Sequence, residues 1–208
     1  MTLDDQSRRW ISGSFQGAAE LLRPQVGRLL VAMPILGDPN FDHTIVFLVG
    51  EYEDGYQGII INDSTHEDVM SAAPDWWQLA AVPRMIHRGG PCDGELVLCL
   101  GIGRHDLDIG GIEPIHRYSS QTVYRLEGAV DPDVTIGKLA GVRMFRGYAG
   151  WAAEQLEQEI AEGAWLCVPS EPTDVITNLS ARLWRDVLER QAGCAAFLRT
   201  CPANPDRN

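Results

Sequence analysis

Residue types that bind metals gather at two places in the chain. Asp38, Asp42 and His43 lie within a single turn, and His105-Asp106-Leu107-Asp108 forms a second group. Carboxylate and imidazole groups bind a divalent cation when several of them face one point. Turns also favour Asp and Asn, however, and strand alternation would turn Asp106 away from its two neighbours. We therefore predict no metal site and no cofactor from these residues.

Motifs for nucleophilic catalysis and for phosphate binding are incomplete. No G-x-S-x-G is present, and none of the five histidines lies in a recognisable triad signature. Gly101-Ile-Gly103 resembles the start of a dinucleotide loop, but Asp106 stands where the third glycine is needed. Lys138 precedes Leu139, so the phosphate-binding G-x-x-x-x-G-K-[ST] loop is absent as well. The sequence names no catalytic residue and favours a non-catalytic protein, although a triad assembled from distant positions stays open.

Charge and composition narrow the class of partner. The 208 residues are 45% hydrophobic, and 29 acidic residues against 17 basic ones give a formal net charge of -12. Such an acidic chain disfavours direct DNA binding and attachment to anionic membranes, since both require clustered cations. No stretch approaches the roughly 20 apolar residues of a membrane span, and the N-terminus lacks an apolar signal segment.

Cysteine usage agrees with this picture. The five cysteines are odd in number and widely spaced, and no C-x-x-C pair suggests a zinc site. This pattern favours reduced thiols, so we expect a cytoplasmic protein that does not contact membranes.

Short apolar runs predict most of the strands. Leu29–Ala32, Thr44–Val49 and Gly58–Ile61 are rich in β-branched residues and too short for helices. Their continuous hydrophobicity indicates strands covered on both faces, and Glu53-Asp54-Gly55 predicts an antiparallel hairpin between the second and the third. Further strands are predicted at 84–87, 95–100, 122–126, 142–148 and 164–168, whereas the Gly-rich segment 101–114 is predicted to be poor in strands.

Helical spacing and cap residues predict the helices. In Trp151–Glu162 the apolar residues Ala152, Leu156 and Ile160 recur at every fourth position, before a glycine suited to end a helix. Further helical segments are predicted at about 14–22, 66–72, 75–81, 134–139 and 173–191. Because the helices do not alternate strictly with the strands, we predict one α+β domain over residues 13–193. A flexible N-terminus (1–12) and a C-terminal tail (194–208) would flank it.

Several ordered motifs together resemble the YqgE/AlgH family of small bacterial proteins. The first motifs are Gly27-Arg-Leu-Leu-Val-Ala-Met-Pro34, Asp38-Pro-Asn-Phe41 and Gln57-Gly-Ile-Ile-Ile-Asn62, and Gly89-Gly-Pro91 matches the family's Gly-Gly-Pro turn. The most distinctive signature is Phe145-Arg-Gly-Tyr-Ala-Gly-Trp151, continued by Gln155-Leu-Glu157, Glu159 and Trp165-Leu166. The resemblance is specific because these motifs agree in order and in spacing.

The resemblance implies an α+β domain with a mixed, largely antiparallel sheet, bifurcated or barrel-like, flanked by helices. It implies no known reaction, and some members are described as transcriptional regulators. This chain departs from the family pattern at three places: Gly50-Glu51 and Cys99 stand where histidines are common, and Asn62-Asp-Ser64 replaces Asn-Arg-Pro. Chemistry that depends on those groups is not expected here.

A candidate ligand-binding cleft follows from the same motifs. Glycines permit tight turns and close backbone approach, and large aromatic side chains can line a cleft. The candidate residues come from the first loop, the end of the third strand, the Gly-Gly-Pro turn and the start of the main helix: Asp38, Asn40, Phe41, Asn62, Gly89, Gly90, Pro91, Tyr148, Gly150, Trp151 and Gln155.

Three functions remain in competition. The favoured one is a non-catalytic protein that acts through a protein partner or a small effector, with a role in transcriptional regulation left open. The alternative is an enzyme or small-ligand-binding protein that uses the candidate cleft. Direct DNA binding would require a contiguous arginine patch, which the mixed charges do not favour. The sequence leaves the oligomeric state undetermined, so a homo-oligomer stays open.

Overall fold

A computed structural model describes residues 23–191, which form ten strands and three α-helices. The strands are β1 (Arg28–Ala32), β2 (Ile45–Tyr52), β3 (Gly55–Ile60), β4 (Ser64–Asp68), β5 (Met85–Arg88), β6 (Cys92–Gly103), β7 (Ile112–Arg117), β8 (Thr122–Leu126), β9 (Leu139–Ala152) and β10 (Trp165–Pro169). The helices are α1 (Val69–Ala72), α2 (Ala153–Ala161) and α3 (Ser180–Glu189). Short 3-10 turns lie at Pro34–Leu36, Pro74–Trp76, Pro132–Val134 and Pro172–Asp174.

One curled sheet runs in the order β10-β1-β2-β3-β9-β6-β8-β7, with antiparallel neighbours throughout. The long strand β9 is its branch point, because it pairs with β3 at one end, with β6 along most of its length, and in parallel with β5. Gly147 separates these pairings with a left-handed backbone (φ 71°). The result is a half-barrel flanked by helices, and the predicted α+β class is confirmed.

The curl brings the two ends of the sheet together. His116 of β7 packs on Gly27, where any Cβ would lie 2.1 Å from the imidazole Nδ1. The hydroxyl of Tyr118 lies 2.6 Å from Oγ of Ser170, which in turn donates to the Gly27 carbonyl. These contacts join the β7 end to the β10 end, so the sheet surrounds a continuous interior.

Apolar side chains fill that interior, and helix α3 packs into it. Phe47 and Phe145 of the sheet are fully buried there, as is Val187 of α3. Trp184 of α3 donates from its indole Nε1 to the Ala32 carbonyl at 2.9 Å, which fixes the helix on β1. Full burial of each such side chain contributes about 1.5–3 kcal/mol.

Helix α2 covers the outer face of the same strands. Leu156 and Ile160 pack there against Leu30, Leu48 and Ile60, whose neighbours in the strands face the interior. This double coverage confirms the prediction that the first strands are covered on both faces. The antiparallel β2–β3 hairpin is confirmed as well.

Two predictions about where strands lie are wrong. Residues 66–68 of the predicted 66–72 helix belong to β4, and α1 begins only after Asp68, whose carboxylate accepts from the Met70 amide at 2.7 Å. Thr65 instead donates to the Ile86 carbonyl at 2.6 Å, which ties β4 to β5. The segment 101–114 carries the end of β6 and the start of β7, because an edge strand tolerates Pro114.

Two further predicted helices are wrong. The segment 75–81 shares only its first two residues with the 3-10 turn Pro74–Trp76, and the segment 134–139 shares only Val134 with the turn Pro132–Val134 before β9 begins at Leu139. The predicted 173–191 helix divides into a 3-10 turn followed by α3. The predictions for 1–12, 14–22 and 194–208 lie outside the described residues. Among the described helices, none is long and apolar enough to cross a bilayer.

Candidate functional site

Asn62 anchors the loop that carries Asp38 and Asn40. Its Oδ1 accepts from the Ile45 amide at 2.7 Å, and its Nδ2 donates to the His43 carbonyl at 2.9 Å. Within the loop, Asp38 Oδ1 accepts from the amide of Asn40 at 2.8 Å and from its side chain at 3.1 Å. These bonds build an Asx turn, so these three polar side chains shape the loop.

The most distinctive motif forms one hydrogen-bonded cluster on the α2 side of the sheet. The indole Nε1 atoms of Trp151 and Trp165 both donate to Oε2 of Glu159, at 3.0 and 2.9 Å. Gln155 donates to the other carboxylate oxygen at 2.8 Å. The ring of Phe41 closes the cluster, with its centroid 5.2 Å from Trp165 and 6.1 Å from Trp151. The motif thus ties β9, α2 and β10 together.

The Gly89-Gly90-Pro91 turn lies directly on the backbone of β9. A Cβ on Gly89 would lie 2.2 Å from the Gly147 carbonyl oxygen, and one on Gly90 would lie 2.2 Å from the Tyr148 carbonyl. Only glycine permits this approach, which explains why the turn needs two of them. Pro91 is exposed beyond the contact.

A pocket of about 480 Å³ opens where the β2–β3 hairpin meets β9, and we call it the tyrosine pocket. Part of its floor is a pair of opposed residues from two strands, Gln57 of β3 and Gly150 of β9. The Tyr52 ring folds over Gly50, where a Cβ would lie 2.6 Å from the phenol oxygen. The Tyr148 ring lies 3.6 Å from where the Cβ of Gly150 would stand. The lining comprises Tyr52, Asp54, Gly55, Tyr56, Gln57, Tyr148, Gly150, Trp151 and Ala152.

Polar groups surround this floor. The Tyr52 hydroxyl donates to Gln57 Oε1 at 3.3 Å, and Asp54 adds a carboxylate to the lining. The hydroxyl of Tyr56 donates to Glu157 at 3.1 Å. Burial, reinforced by the Glu157 carboxylate, raises the pKa of Tyr56 to about 12, so this phenol stays protonated at neutral pH.

The candidate residues divide between two faces of the sheet. Phe41, Trp151 and Gln155 belong to the cluster on the α2 side. Tyr148 and Gly150 contribute to the tyrosine pocket, and Gly150 faces away from the side chain of the adjacent Trp151 because neighbours in a strand alternate. The glycine turn supports the β9 backbone beside Tyr148.

Sequence reasoning did not select a buried cluster around Arg143, which is only 2% exposed. Its Nη1 donates to the Thr177 carbonyl at 2.8 Å and to Ser180 Oγ at 3.2 Å, and its Nη2 donates to the Val82 carbonyl at 2.9 Å. Its Nε has no partner among the described residues. Burial lowers the pKa of this guanidinium to about 10, so it remains charged at neutral pH.

His87 completes the cluster as a neutral imidazole. Its Nδ1 lies 3.1 Å from the Met85 carbonyl, which only accepts, so Nδ1 carries the proton and Nε2 accepts. Nε2 lies 3.1 Å from Ser180 Oγ and 3.3 Å from Arg143 Nη1. Burial, with the Arg143 charge as the second cause, lowers the pKa of His87 to about 4.

The groups considered as metal ligands have other roles. His43 Nδ1 lies 2.5 Å from Asp42 Oδ1, and His105 contacts Thr122 Oγ1 at 2.8 Å. Across the described part of the chain, no three His, Cys, Asp or Glu side chains converge as a metal site. Cys99, at a departure from the family pattern, is buried, and burial raises the pKa of its thiol to about 12.

Fold and site together define a small α+β half-barrel protein with a branched sheet and a glycine-floored pocket. Residues 29–196 match the family model described as AlgH-like, DUF179. A UPF0301 protein of Streptomyces coelicolor is 39% identical over 186 residues, which cover 88% of this chain and 94% of the relative. A UPF0301 protein of Streptomyces avermitilis is 37% identical over 182 residues, with the same coverage.

Two solved structures are similar. A crystal structure of a Corynebacterium diphtheriae protein superposes with a TM-score of 0.82 at 25% identity, covering 90% of this chain and 98% of that one. The solution structure of the AlgH protein from Pseudomonas aeruginosa gives 0.53 at 26% identity, covering 84% and 99%. The chain therefore belongs to the AlgH-like UPF0301 family, as the sequence motifs predict.

Proposed function

We propose that this protein is a non-catalytic binding protein that recognises a partner protein through the tyrosine pocket. The observation that carries the proposal is the pair of rings, Tyr52 and Tyr148, beside a floor that has no side chain at Gly150. A side chain of the partner enters between the rings and reaches the sheet backbone. Tyrosine is enriched at the energetic centres of protein interfaces because it combines apolar area with a polar tip.

The exposure of the pocket supports a protein partner. Tyr52 is 52% exposed, although its ring is large and apolar. It lies at the end of the β2–β3 hairpin, where no element formed by residues 23–191 has to move before a partner can approach. Asp54 and Gln57 add a carboxylate and an amide that can pair with polar groups of the partner.

The arginines support a role that does not involve direct DNA binding. Six of them form ion pairs with neighbouring carboxylates, which lowers the positive charge that phosphates could meet: Arg88, Arg117, Arg125, Arg146, Arg182 and Arg190. Affinity for the DNA backbone depends on unpaired, clustered cations. If the protein has a regulatory role, it therefore exerts that role through a protein partner and not by binding DNA itself.

Photo-crosslinking tests the proposal. A photo-reactive amino acid replaces Gln57 in the pocket floor or, as the control, the exposed Lys138 at the opposite end of β9, and both variants are irradiated in cells that express the protein. We expect a discrete crosslinked partner from position 57 and not from position 138. Adding Tyr148→Ala should abolish that product, whereas Tyr148→Phe, which keeps the ring, should preserve it.

Three results would count against a protein partner at this pocket. They are equal crosslinking from positions 57 and 138, products unaffected by Tyr148→Ala, or no product at all. Native mass spectrometry of the same preparations then shows whether a small molecule occupies the pocket instead, which would favour the small-effector alternative.

A further inference from the structure

A second cleft, of about 500 Å³, lies between the segment 78–84 and the loop 173–178. The segment runs beside β9, where the Ala81 amide donates to the Val142 carbonyl at 2.8 Å. Gly141 lies under both walls, since a Cβ there would be 3.6 Å from the Leu79 carbonyl oxygen and 3.7 Å from Ile176 Cδ1. We call this space the arginine cleft, because Arg84 lines it.

Arg84 is the one charged residue in the lining of the arginine cleft, within the described part of the chain. Its guanidinium carbon lies 4.8 Å from the centroid of the Trp77 ring, and its Nε is buried without a hydrogen-bond partner. No ion pair joins it to a carboxylate among residues 23–191, in contrast to the six paired arginines. Its charge is therefore available to a ligand.

Neutral polar groups and apolar walls complete the cleft. Thr173, Thr177 and Asn178 can donate hydrogen bonds from one wall. The Thr177 hydroxyl accepts from the Leu179 amide at 3.2 Å, which leaves its own proton free to be donated. Leu79 and Ile176 provide apolar surface beside these donors.

Arg143 adds a second positive charge behind the wall. It donates to the carbonyls of Val82 and Thr177, two residues that line the cleft. These carbonyl oxygens are therefore engaged by the buried guanidinium. No carboxylate contacts Arg143 in the described chain, and the neighbouring His87 is neutral, so the positive charge is not cancelled locally.

We propose that the arginine cleft binds an organic oxyanion, a carboxylate or phosphate group carried on a short apolar chain. Arg84 pairs with the oxyanion, the threonine and asparagine groups hydrogen-bond to it, and the apolar chain lies along Leu79 and Ile176. A charged acceptor next to an arginine forms the strongest class of hydrogen bond. No acidic side chain lines this cleft, so an anion is repelled less here than at the acidic parts of a chain whose net charge is -12.

Calorimetric titration with four matched probes tests the proposal. Hexanoate and hexyl phosphate present the two oxyanions, hexanol presents the same chain without charge, and hexylammonium presents the opposite charge. We expect at least one of the anions to bind and to lose affinity as salt increases, with hexanol and hexylammonium binding much more weakly. The better of the two anions identifies the head group.

Substitutions locate the binding. Arg84→Gln should weaken the anion at least ~10-fold, because a hydrogen bond to a charged group is lost. Thr177→Val should weaken the binding of the anion less, because it removes only a neutral hydroxyl. The substitution keeps the backbone carbonyl of residue 177, to which Arg143 donates. Arg117→Gln on the far strand β7 and Tyr148→Ala in the tyrosine pocket are the controls, and both should bind as the unmodified protein does.

Several results would overturn the oxyanion site. One is an affinity for hexanol equal to that for the anions, which would make the cleft merely apolar. Another is unchanged binding by Arg84→Gln, with its fold verified by circular dichroism. Failure of all four probes to bind would also reject it. Because Tyr148→Ala is included, the outcome is independent of the proposed protein partner.

Discussion

Glu159 and Arg143 are two charged side chains held by several hydrogen bonds, and their surroundings differ. Two indole groups and one amide donate to Glu159, which lies at the sheet surface and is partly open to water. Arg143 is 2% exposed and donates to two carbonyls and a hydroxyl, with no carboxylate in contact among residues 23–191. Hydrogen bonds hold both groups, although Arg143 Nε has no partner among the same residues, and water solvates only the Glu159 charge. A charge that is held by hydrogen bonds is therefore not necessarily neutralised.

Removal of Arg143 should produce the largest effect. In Arg143→Met the carbonyls of Val82 and Thr177 and the imidazole of His87 all lose a charged donor. We expect a loss of about 3 kcal/mol in the free energy of unfolding, since hydrogen bonds to a charged group are the stronger class. Urea unfolding of both proteins measures the difference. A variant as stable as the original would show that the buried charge contributes nothing net, and would weaken the contrast with Glu159.

Acid should act on the same cluster through His87. Its pKa of about 4 in the folded protein lies below the ordinary value of 6.5, so the unfolded chain binds a proton that the folded protein does not. The stability contributed by His87 is complete above pH 6.5 and is lost as the pH falls toward 4, by at most about 1.4 kcal/mol per pH unit.

Unfolding curves between these pH values check the direction. His87→Gln should flatten the dependence, while the exposed His66→Gln should behave as the unmodified protein does. A profile that His87→Gln leaves unchanged would mean that His87 titrates normally, and that the Arg143 cluster is accessible to water.

Glu159→Gln should have an intermediate effect. The amide keeps one acceptor but places a donor beside the indole groups, so we expect a loss of about 2 kcal/mol. Glu162→Gln is the matched control, because Glu162 follows the last residue of α2 and its carboxylate accepts from the Gln158 side chain, not from an indole. Thermal unfolding followed by tryptophan fluorescence reports both stability and the environment of Trp151 and Trp165. If both substitutions lowered the stability equally, Glu159 would not have a special role in joining β9 to β10.

An exposed ion pair should show the smallest effect. Arg117 and Asp106 pair at the surface, with their side chains 59% and 77% exposed. Because water solvates both charges whether or not they pair, Arg117→Gln should change the free energy of unfolding by less than about 0.5 kcal/mol. A larger loss would imply that surface charges also stabilise this fold, so that burial alone does not explain the difference between Glu159 and Arg143.

Much of the fold could be predicted from local patterns. Three apolar runs located strands β1, β2 and β3, because both faces of these strands are buried. Local patterns failed where pairing partners decide the structure. Residues 66–68 were predicted to begin a helix but belong to β4, which pairs with β5. Strand β9 continues past Gly147 because a bend at this glycine lets one strand pair with two branches of the sheet.

The candidate sites show the same division. Tyr148 and Gly150 could be selected because they lie in a continuous motif. Gln57 enters the tyrosine pocket through its cross-strand pairing with Gly150, which no local pattern reveals. Arg84 and Arg143 carried no signal of burial, because long-range contacts alone determine whether an arginine meets a carboxylate, an aromatic ring or a carbonyl.

The placement of β1 between β2 and β10 sets the order in which the chain can fold. Leu30 pairs with Val46 nearby and with Cys167, which is synthesised far later. During translation, one edge of β1 therefore has no partner until β10 is synthesised, although the strands between them have already left the ribosome. Loop closure over such a span is slow, and an unpaired apolar edge can recruit another chain. We expect folding yield to depend on how well this edge is shielded before β10 arrives.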